Sequence, residues 1–436
     1  MRKKKFRKES VCDERGNILI GKFSDYLIQE YNIVTINNQI NMYKDGTYVP
    51  GEKVIEKSML DYFPNIKQSQ RKEVLSQILL KAEECDDMNK NLNLIAFRNG
   101  VYNLATRELQ PFSKEYIIPN KINWDYNPAS TSKDVDSLLD KISCYDPEIR
   151  SLMEEMIGYA MYRSLEKQVA FILVGSEGSN GKSTYTKILN HLLGADNISS
   201  RDLSDFSNDK FASADLFGKL ANIGDDISGE YISDPSMFKS LSAGERISAQ
   251  RKFGQPFNFA PYATHIYSAN RIPKVKDADG GVKRRMKIIP FNALFKPTDP
   301  DFDPTISQRI MYGGKETTGD ESMSYLISLA IAGLHRVLEN NFTVSQKCLE
   351  LIEEYDKDCN PTLEWCEEYL GDQISFDMEK RDSVYNNYKM WAENSGQKPL
   401  SKIAFVRFIN ERYHTKVEPK YHYDIGKTVR TFVIKE

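Results

Sequence analysis

Histidine and cysteine are scarce in this chain of 436 residues, which has five histidines and six cysteines. The cysteines show no closely paired spacing, so the sequence predicts neither a zinc site nor a disulfide framework, and free thiols suit a reducing cytoplasm. No apolar run approaches the roughly 20 residues of a membrane-spanning helix. A basic excess is also missing, because the net charge is −3. Any surface for nucleic acid must therefore be local.

The most specific pattern is the stretch 171–184. An apolar run typical of a buried strand breaks into glycine and serine, and a helical pattern follows that ends at Gly194. Strand, glycine-rich loop and helix in this order form a phosphate cradle, in which N–H groups at the helix N-terminus bind an anion. We expect Lys182 to contact the outer phosphates and Ser183 to hold Mg²⁺. The predicted nucleotide-binding residues are Gly178, Ser179, Asn180, Gly181, Lys182, Ser183 and Thr184.

One position departs from the strict phosphate-loop spacing, which requires glycine where this chain has Ser176. The alternative interpretation is a glycine-rich surface turn that contains Gly-Lys-Ser by chance. The strand and the helix both fall where a phosphate loop requires them, which favours a nucleoside triphosphate site.

Two further apolar strands end in polar side chains. Residues 219–226 end in Asp225 and Asp226, and residues 264–269 are followed by Asn270. A nucleoside triphosphatase needs one carboxylate to orient Mg²⁺ and another to accept a proton from the attacking water. We assign these roles to Asp225 and Asp226 respectively, and expect Asn270 to orient the water. Most Asp-Asp pairs are solvated loop residues. We assign catalytic roles to this pair because it directly follows an apolar strand.

Two basic features follow. Alternation on both sides of Arg251, Lys252 and Phe253 predicts a hairpin whose cationic and aromatic tip suits nucleic acid. An ordinary solvated hairpin is an equal alternative. Arg284 and Arg285 precede another apolar strand and could bind a γ-phosphate, or they could be two surface arginines.

The chain is predicted to comprise four regions. These are an α+β module over 1–128, a helical collar over 129–168, the nucleotide domain over 169–345, and a C-terminal region over 346–436. Residues 17–65 are expected to form short strands and turns, with a helix from about 70 to 84.

The last fifty or so residues predict two helices followed by two strands, which is winged-helix patterning. Four of its basic residues are predicted to contact DNA, namely Lys402, Arg407, Lys416 and Lys420. The alternative is a small domain for protein contacts.

Together these motifs resemble the superfamily 3 helicases, in particular the primase-helicases of poxvirus type found in phages, plasmids and satellite elements. The resemblance rests on residues 177–183, 224–226, 239–245 with the hairpin, 267–270, and the two arginines before 288–291, in matching order and spacing. Residues 99–160 also resemble the helical module that precedes the ATPase in that family.

The resemblance implies an α/β fold with an AAA+-type P-loop ATPase core, which assembles as a hexameric ring in a bacterial host cytoplasm. ATP and Mg²⁺ would lie between subunits, and single-stranded DNA would pass through the pore along the hairpins. Arg284 or Arg285 would be the finger given to the neighbouring subunit, and Arg285 is preferred. The base position is often Glu in the family, so the Asp-Asp pair leaves the choice of base open. Fewer than 100 residues precede the helical module, so primase activity is not expected.

Three functions are compatible with these features. An ATP-driven replicative DNA helicase is favoured, with a duplex origin bound by the C-terminal region and possible primase or other replication partners. An origin-binding initiator whose ATPase only switches assembly states is the second. A small-substrate phosphotransferase is the weakest, because it needs neither paired arginines nor a basic hairpin.

Overall fold

The computed structural model describes residues 6–85, 91–175, 177–224, 235–252, 254–272, 280–300, 302–314, 317–359, 361–371, 373 and 375–435. The chain divides into two compact units, residues 1–349 and 350–436. No helix among the described residues has the length and apolar character needed to cross a membrane.

The first part of the chain is a helix-covered sheet. Its elements are α1 (Ile20–Tyr31), β1 (Ile33–Ile36), β2 (Gln39–Lys44), β3 (Thr47–Pro50), α2 (Glu52–Tyr62), α3 (Gln68–Lys81) and β4 (Glu83–Cys85). The strand order is β3-β2-β1-β4, in which β4 runs parallel to β1. The predicted short strands are confirmed as β1, β2 and β3.

The prediction of only strands and turns over 17–65 is wrong, because α1 and α2 lie there. Each helix buries an apolar pair four residues apart, Phe23 with Leu27 and Ile55 with Met59. This spacing places both side chains of a pair on one helical face. The predicted helix over 70–84 also ends earlier than expected, since Glu83 and Glu84 belong to β4.

A second small sheet follows, with strand order β7-β6-β5-β8. Its strands are β5 (Leu94–Phe97), β6 (Gly100–Asn103), β7 (Glu108–Gln110) and β8 (Lys121–Ile122). Next come the two predicted collar helices, α4 (Lys133–Ile142) and α5 (Pro147–Met161). Ser132 and Asp146 cap their N-termini by accepting hydrogen bonds from backbone N–H groups.

The predicted nucleotide domain contains a five-stranded parallel sheet. Its elements in chain order are β9 (Ala170–Val174), α6 (Lys182–Leu193), β10 (Ile198–Ser199), α7 (Asp205–Asn208), β11 (Ala221–Gly224), α8 (Ser236–Ala243), the hairpin β12 (Ile247–Gln250) and β13 (Pro256–Phe259), β14 (Thr264–Ala269) and β15 (Met286–Pro290). The strand order is β10-β11-β14-β9-β15. The predicted apolar strands of this region correspond to β9, β11, β14 and β15, and the predicted end of the second strand at 225–226 lies outside the described residues.

Two helices complete the first unit, α9 (Ile306–Tyr312) and α10 (Gly319–Asn340). Gly158 of α5 lies against α10, where a Cβ on residue 158 would come within 2.1 Å of the Ala330 carbonyl oxygen, so only glycine permits this approach. One hydrophobic core extends from Ile95 to Cys348 and includes collar and sheet residues. The collar and the nucleotide domain therefore pack around a shared core.

The second unit has its own core, which includes Trp365, Phe376, Phe405 and Phe432. Its elements are the latter part of α11 (Gln346–Cys359), α12 (Pro361–Leu370), α13 (Arg381–Asn394), α14 (Lys402–Arg412), β16 (Thr415–His422) and β17 (Lys427–Ile434). The predicted order of two helices and two paired strands is confirmed, and the Ser401 side chain caps the N-terminus of α14.

Candidate nucleotide and nucleic-acid sites

The glycine-rich loop connects β9 to the N-terminus of α6. Ser179 and Gly181 take positive φ values of 60° and 89°, which turn the backbone sharply just before the helix. Gly178 has open space where a Cβ would be, and the Ser183 side chain is exposed. The loop thus presents backbone and hydroxyl groups at the positive end of a 12-residue helix dipole.

The Lys182 side chain turns back into this loop and is only 8% exposed. Its amine donates to the Gly175 carbonyl oxygen at 2.5 Å and to Asn270 Oδ1 at 3.1 Å. A buried ammonium needs compensating partners. The amine therefore lies between the glycine-rich loop and the end of β14.

Hydrogen bonds from side chains and from the backbone fix the shape of the loop. Asn180 is buried, donates to the Glu177 carbonyl oxygen at 2.6 Å, and accepts from the Lys182 N–H at 3.3 Å. The Phe295 N–H donates to the Ser179 carbonyl oxygen at 2.9 Å. A Cβ on Gly175 would lie 2.3 Å from Asn180 Nδ2. The Asn180 side chain therefore helps to fix the shape of the loop. Ser176 lies outside the described residues.

The sheet order brings Asn270 to the loop. β14 lies between β11 and β9, and Ala269 is paired with Val174, the last residue of β9. Because parallel strands end at the same sheet edge, the residue after β14 meets the residues after β9. β11 also ends at this edge with Gly224, but Asp225 and Asp226 lie outside the described residues. Within the described part of the chain, no three His, Cys, Asp or Glu side chains form a metal-binding group.

Two buried polar side chains under the site belong to the core. Burial lowers the pKa of His265 to about 4 and raises the pKa of Tyr267. His265 Nδ1 lies 3.1 Å from the Tyr267 hydroxyl, on the strand that leads to Asn270. His265 is therefore a neutral imidazole at pH 7, and its contact with the Tyr267 hydroxyl is a buried contact within β14.

A cleft of about 270 Å³ opens beside the loop. Gly181 and Thr184 form one wall, and the segment after β15 forms another through Phe295 and Phe302. Lys141 Nζ of α4 lies 4.9 Å from the Phe295 ring centroid. The sequence did not predict this cleft, because residues 292–305 have no strand or helix periodicity. Their only signal is the clustering of phenylalanine and proline directly after a buried strand.

The two neighbouring arginines have different surroundings. Arg285 is 8% exposed and donates to the Gly281 carbonyl oxygen at 2.8 Å and to Gln168 Oε1 at 3.2 Å. Arg284 is exposed. The short 3₁₀ turn Lys283–Arg285 directs one guanidinium inward and the other outward. Arg285 is thus engaged within its own chain, while Arg284 is accessible.

The β12–β13 hairpin carries the predicted basic tip. Arg251 lies over the rings of Phe217 and Phe257, at 5.5 and 5.3 Å from their centroids. Such contacts contribute about 0.5–1 kcal/mol at exposed sites. Lys252 is exposed at the turn, and Phe253 lies outside the described residues. Arg251 therefore holds the tip of the hairpin against the rings of Phe217 and Phe257, and the Lys252 side chain is exposed.

In the second unit, three of the four predicted DNA-binding cations have acidic partners. Lys402 pairs with Asp382 at 2.7 Å, and Lys416 and Lys420 pair with Glu418 at 2.9 and 3.5 Å. Hydrogen bonds from Arg381 and Lys402 lower the pKa of Asp382 to about 2. Arg407 is exposed and pairs with no carboxylate among the residues that the structure describes. Among these four predicted contacts, Arg407 is thus the one without an acidic partner in the described part of the second unit.

Comparison with known families gives two separate matches. The family described as "D5 N terminal like" matches residues 8–144. The one described as "Family of unknown function (DUF5906)" matches residues 173–285. The second range contains the phosphate loop, the hairpin and both arginines.

Two curated viral proteins are similar to the chain. The candidate helicase L207/L206 of Acanthamoeba polyphaga mimivirus is 24% identical over 295 residues, which are 62% of this chain and 30% of that protein. The candidate helicase 184R of Invertebrate iridescent virus 6 is 24% identical over 236 residues, which are 50% of this chain and 24% of that protein. The chain spans less than a third of the length of these relatives.

These matches support the resemblance of the chain to the superfamily 3 primase-helicases. The apo structure of the NrS-1 C-terminal region has the same fold, with a TM-score of 0.58 at 14% identity, covering 94% of this chain and 98% of that one. A second apo structure of that region gives a TM-score of 0.57.

Proposed function

We propose that the protein is an ATP-driven DNA helicase that acts in replication as a homo-oligomeric ring with an AAA+-type P-loop core. The observation that carries this proposal is the buried Lys182 amine, which joins the glycine-rich loop to Asn270 at the carboxyl edge of a parallel sheet. A γ-phosphate can be bound where a glycine-rich loop, a cation and a polar sensor side chain lie close together. ATP-dependent strand displacement on forked DNA is the experiment that tests it.

The residues of the loop fit a magnesium nucleotide. The exposed Ser183 hydroxyl and the positive-φ turn before α6 would hold phosphate and metal, together with Asp225. Mg²⁺ bound there neutralises charge that develops on the phosphate oxygens. Asp226 would accept the proton of the attacking water, and Asn270 would orient that water.

The cleft beside the loop is suited to the nucleoside. It adjoins Gly181 and Thr184, and its far wall carries the Phe295 and Phe302 rings. A base can pack on such rings while its phosphates lie on the loop. Nucleotide binding would thus involve both the nucleotide domain and α4, whose Leu138 also lines the cleft.

Replacing Phe302 with alanine should weaken nucleotide binding through the base alone. Loss of one ring contact, worth roughly 1–3 kcal/mol, should raise the KM for ATP about tenfold with kcat nearly unchanged. Inorganic tripolyphosphate should inhibit the variant and the parent protein equally, because it lacks a base. Steady-state hydrolysis with this competitor measures both effects. Tyr145→Ala, which removes a 73% exposed ring elsewhere, is the matched control. An unchanged KM for Phe302→Ala would show that the base does not bind in this cleft.

The arginine geometry supports a shared active site. Arg284 precedes β15, so it lies at the amino edge of the sheet, whereas the loop lies at the carboxyl edge. A five-residue strand rises about 3.3 Å per residue, which separates these edges by about 16 Å. Arg284 cannot reach its own chain's phosphate site, but it could reach that of a neighbouring subunit. We therefore propose Arg284 as the finger in place of Arg285.

The β12–β13 hairpin is proposed to contact DNA in the pore. Replacing Lys252 with alanine should leave basal hydrolysis intact but abolish its stimulation by single-stranded DNA, because the substitution removes the outward cation and spares the aromatic anchor. Hydrolysis rates measured with and without oligonucleotide give the result. Lys210→Ala, at another exposed lysine of this unit, should behave like the parent protein. Full stimulation of ATP hydrolysis by single-stranded DNA in the Lys252 variant would show that the hairpin is an ordinary solvated hairpin.

The second unit is proposed to contact duplex DNA, with Arg407 of α14 as its principal free cation and Lys402, Lys416 and Lys420 as secondary contacts. Their carboxylate partners reduce the attraction of these lysines for phosphate. An initiator that binds an origin without processive unwinding is the second candidate function, and the same winged-helix-like order of elements supports it.

A further inference from the structure

The β16–β17 hairpin extends beyond the core of the second unit. Its strands pair from Thr415 with Ile434 to His422 with Lys427, and Gly426 with φ of 61° helps to form the turn. Only the inner end reaches the core, where Phe432 is fully buried. From Pro419 to Arg430 no residue is buried. The outer half is therefore a two-stranded arm without a core of its own.

Two aromatic rings lie at the end of this arm. Tyr421 is 52% exposed and Tyr423 is 92% exposed. Their ring centroids are 5.0 Å apart at an interplanar angle of 81°. Ile425, in the same turn, is 42% exposed. None of these side chains supports a core, and a tight turn favours glycine and asparagine over tyrosine. The rings are thus available for binding.

The charges around the rings are mainly positive. Glu418 is shared between Lys416 and Lys420, and Asp424 pairs with Lys380 of the helical part of the unit. Lys427 and Arg430 are exposed and pair with no carboxylate in the described part of the chain. The arm therefore carries two available cations within a few residues of two exposed rings.

We propose that the tip of the β16–β17 hairpin, formed by Tyr421 and Tyr423, binds single-stranded DNA by stacking on unpaired bases, while Lys427 and Arg430 contact its phosphates. Base faces are accessible in single strands and covered in a duplex, so a ring pair selects unpaired nucleotides. The adjoining cations supply the electrostatic part of binding. This gives the second unit a single-strand site in addition to the proposed pore hairpin and the proposed duplex contacts.

The test uses the full-length protein without nucleotide, so its outcome does not depend on hydrolysis. Affinity for a single-stranded oligonucleotide that contains 2-aminopurine is measured by fluorescence for the double variants Tyr421→Ala/Tyr423→Ala and Tyr421→Phe/Tyr423→Phe. Stacking is worth about 1–3 kcal/mol per base, so the alanine pair should raise the Kd about tenfold or more. The phenylalanine pair should bind like the parent protein, because it keeps both rings. Both positions are exposed, so the fold should be unaffected.

Three results would overturn the proposal. One is an unchanged single-strand Kd in the alanine pair. Another is an equal loss of affinity for a duplex of the same length, which would indicate a groove or backbone contact. The third is a phenylalanine pair as weak as the alanine pair, which would mean that the hydroxyl groups bind. Tyr145→Ala again provides the control for the loss of an exposed ring.

Discussion

Replacing Lys182 with alanine should abolish ATP hydrolysis while the protein stays folded. The amine contacts the Gly175 carbonyl oxygen and Asn270, both at the edge where the phosphates are proposed to bind. Its loss removes a transition-state charge contact and leaves the apolar face of α6 in place. Turnover should fall at least about a hundredfold, since a lost charge-stabilising contact costs about 2.7–4 kcal/mol. Phosphate release and a thermal melt measure the two effects.

The matched control for this experiment is Lys187→Ala. Lys187 lies on the same helix and is exposed, so its removal tests for a general effect of losing a lysine from α6. It should hydrolyse ATP at the parent rate. Parent-like turnover in Lys182→Ala would contradict the nucleotide site itself.

Replacing Arg284 with alanine should lower hydrolysis by about 10³–10⁵-fold, the range measured for arginine fingers. The reason is that this exposed guanidinium would complete the site of the next subunit. Arg285→Ala should instead lower the melting temperature, because it removes a buried side chain that bonds to Gly281 and Gln168. Activity and thermal melts of the two variants distinguish these roles.

Mixing two inactive proteins tests the sharing directly. In mixed oligomers of Lys182→Ala and Arg284→Ala, a head-to-tail arrangement joins an intact loop to an intact arginine at about a quarter of the interfaces. Part of the hydrolysis should therefore return on mixing. A complete lack of rescue in oligomers verified to be mixed would show that each subunit works alone.

The sequence predicted local features of the nucleotide domain well. A buried strand, a glycine-rich loop and a helix are encoded within 171–194, so neighbouring residues suffice to recognise them. The pairing of β14 between β11 and β9 joins distant segments, and no local pattern encodes it. That pairing brings Asn270 to Lys182. Helices α1 and α2 were missed because their apolar pairs are few and strand-like residues surround them.

Other parts of the sites depend on surroundings that a sequence does not display. Arg284 and Arg285 are adjacent and chemically identical, yet the 3₁₀ turn exposes one and buries the other. Lys402 belongs to a basic pattern, but its charge is offset by Asp382 from the preceding helix. The cleft proposed for the nucleoside is formed in part by an irregular segment that lies beside the glycine-rich loop. Tertiary packing decides all three cases.

Strand displacement on forked DNA is the most direct test of the helicase proposal. Full-length protein is incubated with forks that carry a free 5′ or 3′ tail, with ATP, without nucleotide, or with a non-hydrolysable analogue. We expect strand separation with ATP only, on one fork polarity, and none with Lys182→Ala. Hydrolysis of ATP without strand separation on either fork would contradict the account and favour an initiator that uses ATP only to switch its assembly.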